Sequence, residues 1–386
     1  MSIERFEVPY SESAVQDLRE RLARTRWPDT ISGSAWTYGF DLAYLQRVCD
    51  YWRRHFDWRA QVEQLRQLEH FQYMTGEDAI HFVRMRGEGN SSIPILLLHG
   101  WPGSFLELLQ LGRRLAADGS FDVIIPSLVG FGYSSRSTKP GMNTTRMADL
   151  FAGLMSELGY ERFACHGGDF GASVSSWLAR RHPERILGIH LNYIPGYYRP
   201  ALAQGEKPTP EEQRFLADGE RWGEEWGAYS HIQGRTPQTV AYGLNDSPAA
   251  LAAWILEKFR DWADCDGDLE KPFTWDELLA NVTLYWMTET IHSSCRLYFE
   301  AIPLQLEPGE HITPPCGIAH FAKEAPFPPR SWIERGYNVQ HWSDFSSGGH
   351  FAAMERPEEL AGDIREFFST LRNEPAPLQV VDCARE

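Results

Sequence analysis

A chain of 386 residues, 42% hydrophobic and 23% charged, has the make-up of an ordinary soluble globular protein. It is long enough to bury a substantial core, as one large domain with insertions or as two modest ones. A formal net charge of −16 argues against nucleic acid or an anionic membrane surface as the main partner, and no apolar run approaches the roughly 20 residues that span a bilayer.

Residues 1–75 read as helical and rich in aromatics, an extension ahead of the core. Ser11 can cap a helix running to about Arg26, where Trp27-Pro28-Asp29 stops it. A second helix is predicted over 41–56, with Leu42, Leu45, Val48, Tyr51 and Trp52 on one face. The core is expected over 76–194 and 306–386. Its first strands are 79–85, which alternates, and 93–98, a continuous apolar run of the kind buried parallel strands show. A helix at 105–117, a strand at 121–126, a helix at 147–158, a strand at 162–166, a helix at 172–181 and a strand at 186–191 follow. Strands alternating with helices imply right-handed parallel crossovers and an α/β architecture.

After Asn192 the alternation stops. Residues 195–305 lean helical, with helices predicted over 248–262 and 275–299; an insertion of that length after the sixth strand of such a sheet would lie over its carboxyl edge as a lid. Alternation resumes with strands at 317–321 and 337–341, a Gly-rich loop to His350, a helix near 357–371 and a loose tail, 373–386. The six cysteines (Cys49, Cys165, Cys265, Cys295, Cys316 and Cys383) are scattered without a CxxC pair. Together with an N-terminus that shows no signal peptide, they fit reduced thiols in a cytoplasmic protein.

The chemistry gathers at Gly167-Gly168-Asp169-Phe170-Gly171, between a strand and a helix. Glycine, any residue, nucleophile, any residue, glycine is the pattern of the strained turn that presents the nucleophile of an α/β-hydrolase. Here the nucleophile position holds a carboxylate. A carboxylate needs no base to attack, and it suits an sp³ carbon bearing a strained or good leaving group, so an epoxide or alkyl halide comes before an ester. The triad order nucleophile, acid, histidine then places the base at His350, in Gly348-Gly349-His350-Phe351. Glu324, directly after the strand at 317–321, is the expected acid. Asp344 is its competitor, but it falls after the last strand rather than before it. The backbone N–H groups of Trp101, in His99-Gly100-Trp101-Pro102, and of Phe170 are the expected oxyanion donors.

His99-Gly100-Trp101-Pro102-Gly103-Ser104, the Asp169 turn and the His350 loop together resemble the microsomal-type epoxide hydrolases. Phe6-Glu7-Val8-Pro9-Tyr10 and Thr25-Arg26-Trp27-Pro28 are similar to that family's N-terminal segment, and Gly243-Leu244-Asn245-Asp246-Ser247-Pro248 and Ile255-Leu256-Glu257-Lys258-Phe259 to its lid. The similarity extends over about residues 3–370. It implies an α/β-hydrolase fold with a mostly parallel central sheet, a helical lid and an N-terminal extension. One departure from the family is expected: microsomal members carry an amino-terminal membrane anchor, whereas this chain resembles the soluble bacterial and fungal members. The family uses two lid tyrosines to protonate the epoxide oxygen, and by motif context these are Tyr229 and Tyr298, with Tyr285 and Tyr242 as rivals. The expected partners are a small-molecule epoxide and water, with no cofactor, no metal and no nucleic acid; a homodimer is left open.

Two other functions fit an aspartate nucleophile or this fold. A haloalkane dehalogenase needs halide donors, commonly a tryptophan after the nucleophile, where this chain has Phe170. A non-catalytic ligand-binding member usually loses a triad residue, and here all three positions are filled. Asp264-Cys265-Asp266-Gly267-Asp268 begins like a calcium loop, but Leu269 and Trp275 stand where glycine and glutamate are needed, so a solvated turn is expected. Gly130-Phe131-Gly132 lacks the third glycine of a dinucleotide fingerprint, and Cys316 and His320 lack a partner pair for a metal.

Overall fold

The computed structural model describes residues 2–76, 78–87, 92–196, 198–324 and 326–372; the tail at 373–386, with Cys383, lies outside them. Among the described residues nine strands form one sheet: β1 (Ser2–Arg5), β2 (Glu69–Met74), β3 (Ala79–Met85), β4 (Ile93–Leu98), β5 (Phe121–Pro126), β6 (Phe163–Gly167), β7 (Ile186–Leu191), β8 (Ile312–Phe321) and β9 (Tyr337–Phe345). Their order is β1-β2-β3-β5-β4-β6-β7-β8-β9. From β5 through β9 every pairing is parallel, whereas β1, β2 and β3 form an antiparallel edge. Consecutive residues Ile95, Leu96, Leu97 and Leu98 are all fully buried, as a strand covered on both faces requires.

The N-terminal segment is more than helical. Helices α1 (Glu12–Ala23), α2 (Leu42–Arg54) and α3 (Trp58–Leu65) are capped by Ser11, Asp41 and Asp57, whose side chains accept the N–H groups of Ala14, Tyr44 and Ala60. Helix α1 stops three residues short of Arg26. Helix α2 buries Leu45, Val48, Cys49 and Trp52, while Leu42 and Tyr51 are only half-buried. The segment also contributes β1 and β2, which extend the sheet beyond β3; short, half-exposed edge strands leave a weak alternation to read.

Helices α4 (Leu109–Ala117), α5 (Thr144–Glu157) and α6 (Asp169–Arg181) connect the parallel strands. Residues 105–108 form a 3₁₀ turn ahead of α4, and α5 starts before 147 because Asn143 caps it. The lid leaves after β7, one strand later than expected. It comprises α7 (Pro210–Trp226), α8 (Ala228–Arg235), α9 (Pro237–Asp246), α10 (Pro248–Trp262), α11 (Trp275–Thr288) and α12 (Ile291–Glu300). The single helix expected over 275–299 is thus two, broken where Glu289 turns left-handed at φ +53°. The Trp52 indole N–H donates to Thr283 Oγ1 at 2.8 Å, in a buried bond between α2 and α11. After β8 come α13 (Arg330–Glu334), β9, α14 (Ala352–Glu355) and α15 (Pro357–Arg372). Strand β9 runs on to Phe345, so Asp344 lies within the last strand, where its carboxylate meets His320 Nδ1 at 2.8 Å on the surface.

Candidate active site

Strand β6 ends at Gly167, and α6 begins at Asp169 itself, three residues before the expected start. Asp169 has φ +46°, a left-handed conformation that a non-glycine residue adopts only under constraint. The crowding around it shows what constrains it. A Cβ on Gly171 would lie 2.0 Å from the Leu98 carbonyl oxygen, and one on Gly167 would lie 2.4 Å from Gly171 backbone atoms. Helix, turn and strand therefore approach as closely as glycine permits, and the Asp169 side chain is left facing the cavity at the carboxyl edge of the sheet.

Both expected oxyanion donors reach the Asp169 carboxyl. Trp101 N–H donates to Oδ1 at 2.9 Å, and the Phe170 N–H also hydrogen-bonds the carboxylate. Burial pushes the Asp169 pKa above the ordinary carboxyl value, against the pull of His350 and these two N–H groups.

His350 Nδ1 lies 2.8 Å from Glu324 Oε2, and its Nε2 lies 3.6 Å from Asp169 Oδ2. The imidazole thus stands between the two carboxylates, with the Glu324 contact setting the ring orientation. Burial alone would lower its pKa; Glu324 first, then Asp169 and Glu107, outweigh that and raise it to about 9. The loop carrying His350 is held by groups the sequence did not flag. His350 N–H donates to Trp262 O at 2.9 Å, and Gly348 N–H to Asp264 Oδ2 at 2.8 Å. Glu355 accepts the N–H groups of Gly349, Phe351 and Asp264. Asp264 is therefore a partly buried anchor and not the solvated residue expected; a spacing test for calcium could not reveal a partner 84 residues away.

Tyr229 on α8 and Tyr298 on α12 are each 8% exposed and hydrogen-bond each other. Their rings enclose Trp101, Tyr229 stacked on it at 5.3 Å and Tyr298 edge-on at 5.6 Å, while Phe170 meets Tyr298 at 4.9 Å. Burial, with Tyr229 and Asp169 adding to it, keeps the Tyr298 phenol protonated well above the usual range. The rivals lie elsewhere: the Tyr285 hydroxyl donates to Gly103 O at 2.7 Å, and Tyr242 is 71% exposed. A cavity of about 20 Å³ lies beside Asp169 and His350, lined also by Gly100, Trp101, Glu107 and Asn192 among others. Among the described residues no three His, Cys, Asp or Glu side chains gather as a metal site would need, and no helix is long and apolar enough to cross a membrane.

A family model described as the epoxide hydrolase N terminus matches residues 3–108, and one described as the alpha/beta hydrolase fold matches 93–226. A protein of Stigmatella aurantiaca (strain DW4/3-1) with the provisional name epoxide hydrolase is 39% identical, over 95% of this chain and 85% of its own. Epoxide hydrolase 1 of Sus scrofa is 35% identical, over 97% of this chain and 90% of its own. Among solved structures, the juvenile hormone epoxide hydrolase of the silkworm Bombyx mori superposes with a TM-score of 0.83 at 32% identity, covering 96% of this chain and 94% of that one. The Aspergillus niger epoxide hydrolase gives 0.84 at 28% identity, covering 96% and 97%.

Proposed function

The chain belongs to the epoxide hydrolase family and is an epoxide hydrolase, and from that premise we propose that it opens a lipophilic or aromatic epoxide through a covalent ester on Asp169. The observation that carries this reading is the Asp169 carboxyl itself, which meets two backbone N–H groups on one side and His350 Nε2 at 3.6 Å on the other. Donors aimed at the nucleophile's own carboxyl serve a reaction whose oxyanion forms there.

In the first step an Asp169 oxygen bonds to an epoxide carbon, the ring C–O bond breaks, and the freed oxygen takes a proton from the pair Tyr229 and Tyr298. The resulting ester is neutral, which removes one of the anions that keep His350 protonated. The imidazolium proton passes to the phenolate. In the second step neutral His350 Nε2 takes a proton from water as the water oxygen bonds to Asp169 Cγ, and Trp101 and Phe170 N–H groups hold the oxyanion. Collapse expels the diol alkoxide, which takes the proton from His350; the proton left on the Asp169 carboxyl then returns to His350. Every residue ends as it began.

The same proposal assigns 1–75 as an extension, 76–194 and 306–386 as core and 195–305 as lid, with α8 and α12 of the lid supplying the two acids. The aromatic walls, Trp101, Tyr229, Trp262, Tyr298 and Phe170, favour a lipophilic or aromatic substrate. Five described cysteines, free and buried, fit a cytoplasmic setting. His350→Gln is the test: with styrene oxide, intact mass should show an ester on Asp169 that persists. Binding without any adduct would defeat the mechanism.

A further inference from the structure

One carboxyl at the catalytic cavity has no part in these steps. Glu107 sits in the 3₁₀ turn after the Trp101 loop. Its side chain folds back so that a Cβ built on Gly103 would lie 1.6 Å from its Oε2. The carboxyl therefore fills the space a side chain at 103 would take. N–H groups of Gly100 and Ser104 hydrogen-bond it, which fixes it beside the first oxyanion donor. Burial, opposed by His350 and assisted by Asp169, raises its pKa to about 8, so it stands within electrostatic reach of both reacting groups.

The cavity these groups share has a volume of about 20 Å³. A single water needs roughly 10–15 Å³ and two to four polar partners. Glu107, Asp169 and His350 supply them, and His166 and Asn192 are the other polar side chains named in its lining. A water placed there has an acceptor on each of two sides, His350 Nε2 once the imidazole is neutral and a Glu107 oxygen, with Asp169 Cγ in front of it.

We propose that Glu107 is a positioning residue for the hydrolytic water: it accepts one of the water's hydrogens, leaving the other directed at His350 Nε2 and the oxygen at Asp169 Cγ. Only the proton facing His350 is transferred; the one facing Glu107 stays on the oxygen that bonds to Cγ. A carboxyl oxygen accepts this bond whether the group is neutral or ionised, as does the amide oxygen of glutamine. This inference rests on the Asp169 ester and the His350 base proposed above, and it concerns the second step alone.

The test separates the two steps by rapid-quench mass spectrometry of single turnovers with styrene oxide. Glu107→Leu, which removes the acceptor at similar volume, should form the ester within about twofold of the wild-type rate and hydrolyse it about 10²-fold more slowly. Glu107→Gln should recover most of the loss. Gly103→Ala, which keeps the glutamate but pushes its carboxyl away, should reproduce the slow hydrolysis. Unchanged ester decay in Glu107→Leu, or equal losses in both steps, would overturn the assignment. If Glu107→Leu and Gly103→Ala both fail to fold, the residue is structural and the proposal falls as well. Absence of an ester in both the wild type and His350→Gln would instead remove the mechanism on which the inference stands.

Discussion

The side-chain amide of Asn281, on lid helix α11, donates to the backbone carbonyl of Pro102 at 2.8 Å, and one turn later Tyr285 donates to the carbonyl of Gly103 at 2.7 Å. The lid therefore grips the loop whose Trp101 N–H meets Asp169. Asn281 is 4% exposed, so this contact is shielded from water.

Replacing Asn281 with leucine leaves the Pro102 carbonyl buried without that donor, which costs about 1–3 kcal/mol. The larger effect is on position. With the loop released, the Trp101 N–H drifts from the oxygen it must stabilise, and loss of one such donor slows a reaction by about 10²-fold. Asn281→Leu should therefore hydrolyse the Asp169 ester more slowly while still forming it. A stopped-flow or quench experiment showing normal ester decay would remove the lid from oxyanion positioning.

In the proposed mechanism the tyrosine pair acts on the other half of the reaction. Tyr229→Phe and Tyr298→Phe should each slow ring opening by about 10²-fold and leave decay of a preformed ester unchanged. The double variant should be slower than either. Because burial holds the Tyr298 phenol protonated well above pH 10, ring opening should not fall off with rising pH before about 10. A rate that halves between pH 8 and 9 would show that another acid protonates the epoxide oxygen.

His350 carries a pH signature with a definite sign. Its pKa in the folded protein is about 9, above the ordinary value near 6.5, because Glu324, Asp169 and Glu107 outweigh its burial. A raised pKa contributes stability that is complete below about pH 6.5 and lost as pH climbs through about 9. Glu324→Gln removes the first of those anions, so burial should lower the His350 pKa. The fall in melting temperature between pH 6.5 and 9 should flatten in that variant, and the His350 imidazole titration followed by NMR should move to lower pH. Ester hydrolysis should slow by 10²-fold or more as the ring loses its orienting partner. A titration left unmoved in Glu324→Gln would disconnect Glu324 from His350.

What the sequence revealed here was local. The glycines around Asp169, the paired glycines before His350 and the apolar runs of β4, β5 and β7 each lie within a few residues of one another, and periodicity or turn chemistry picks them out. What stayed hidden was pairing across the chain. Asp264 reads as a surface residue until Gly348 is brought to it, and Asn281 lies 179 residues from the Pro102 carbonyl it meets. Glu107 looks like the polar face of a helix, because nothing in the string says that position 103 lacks a side chain so that a carboxyl can fold over it. The break at Glu289 was missed for a related reason: a left-handed glutamate carries no glycine or proline to announce it.

Two glycines at the site let the backbone pass close to Leu98 and to the nucleophile. A methyl on Gly171 would sit 2.0 Å from the carbonyl oxygen of Leu98, between two pieces of backbone that cannot both move. Overpacking of a core costs about 1–3 kcal/mol when side chains can yield, and here none is available to yield, so Gly171→Ala should destabilise the protein by at least that much. A methyl on Gly100 would meet Cβ and Oδ1 of Asp169 at 2.3 Å; rotation of that side chain moves Oδ1 but not Cβ, so the Gly100 loop or the Asp169 turn must shift as well. Gly100→Ala should therefore lose stability too, and its nucleophile should be turned from the Trp101 N–H and from the epoxide. Styrene oxide should then leave no ester on Asp169, even on a background of His350→Gln. If the double variant accumulates ester at the rate of His350→Gln alone, the close approach of Gly100 to Asp169 does not set the angle of attack.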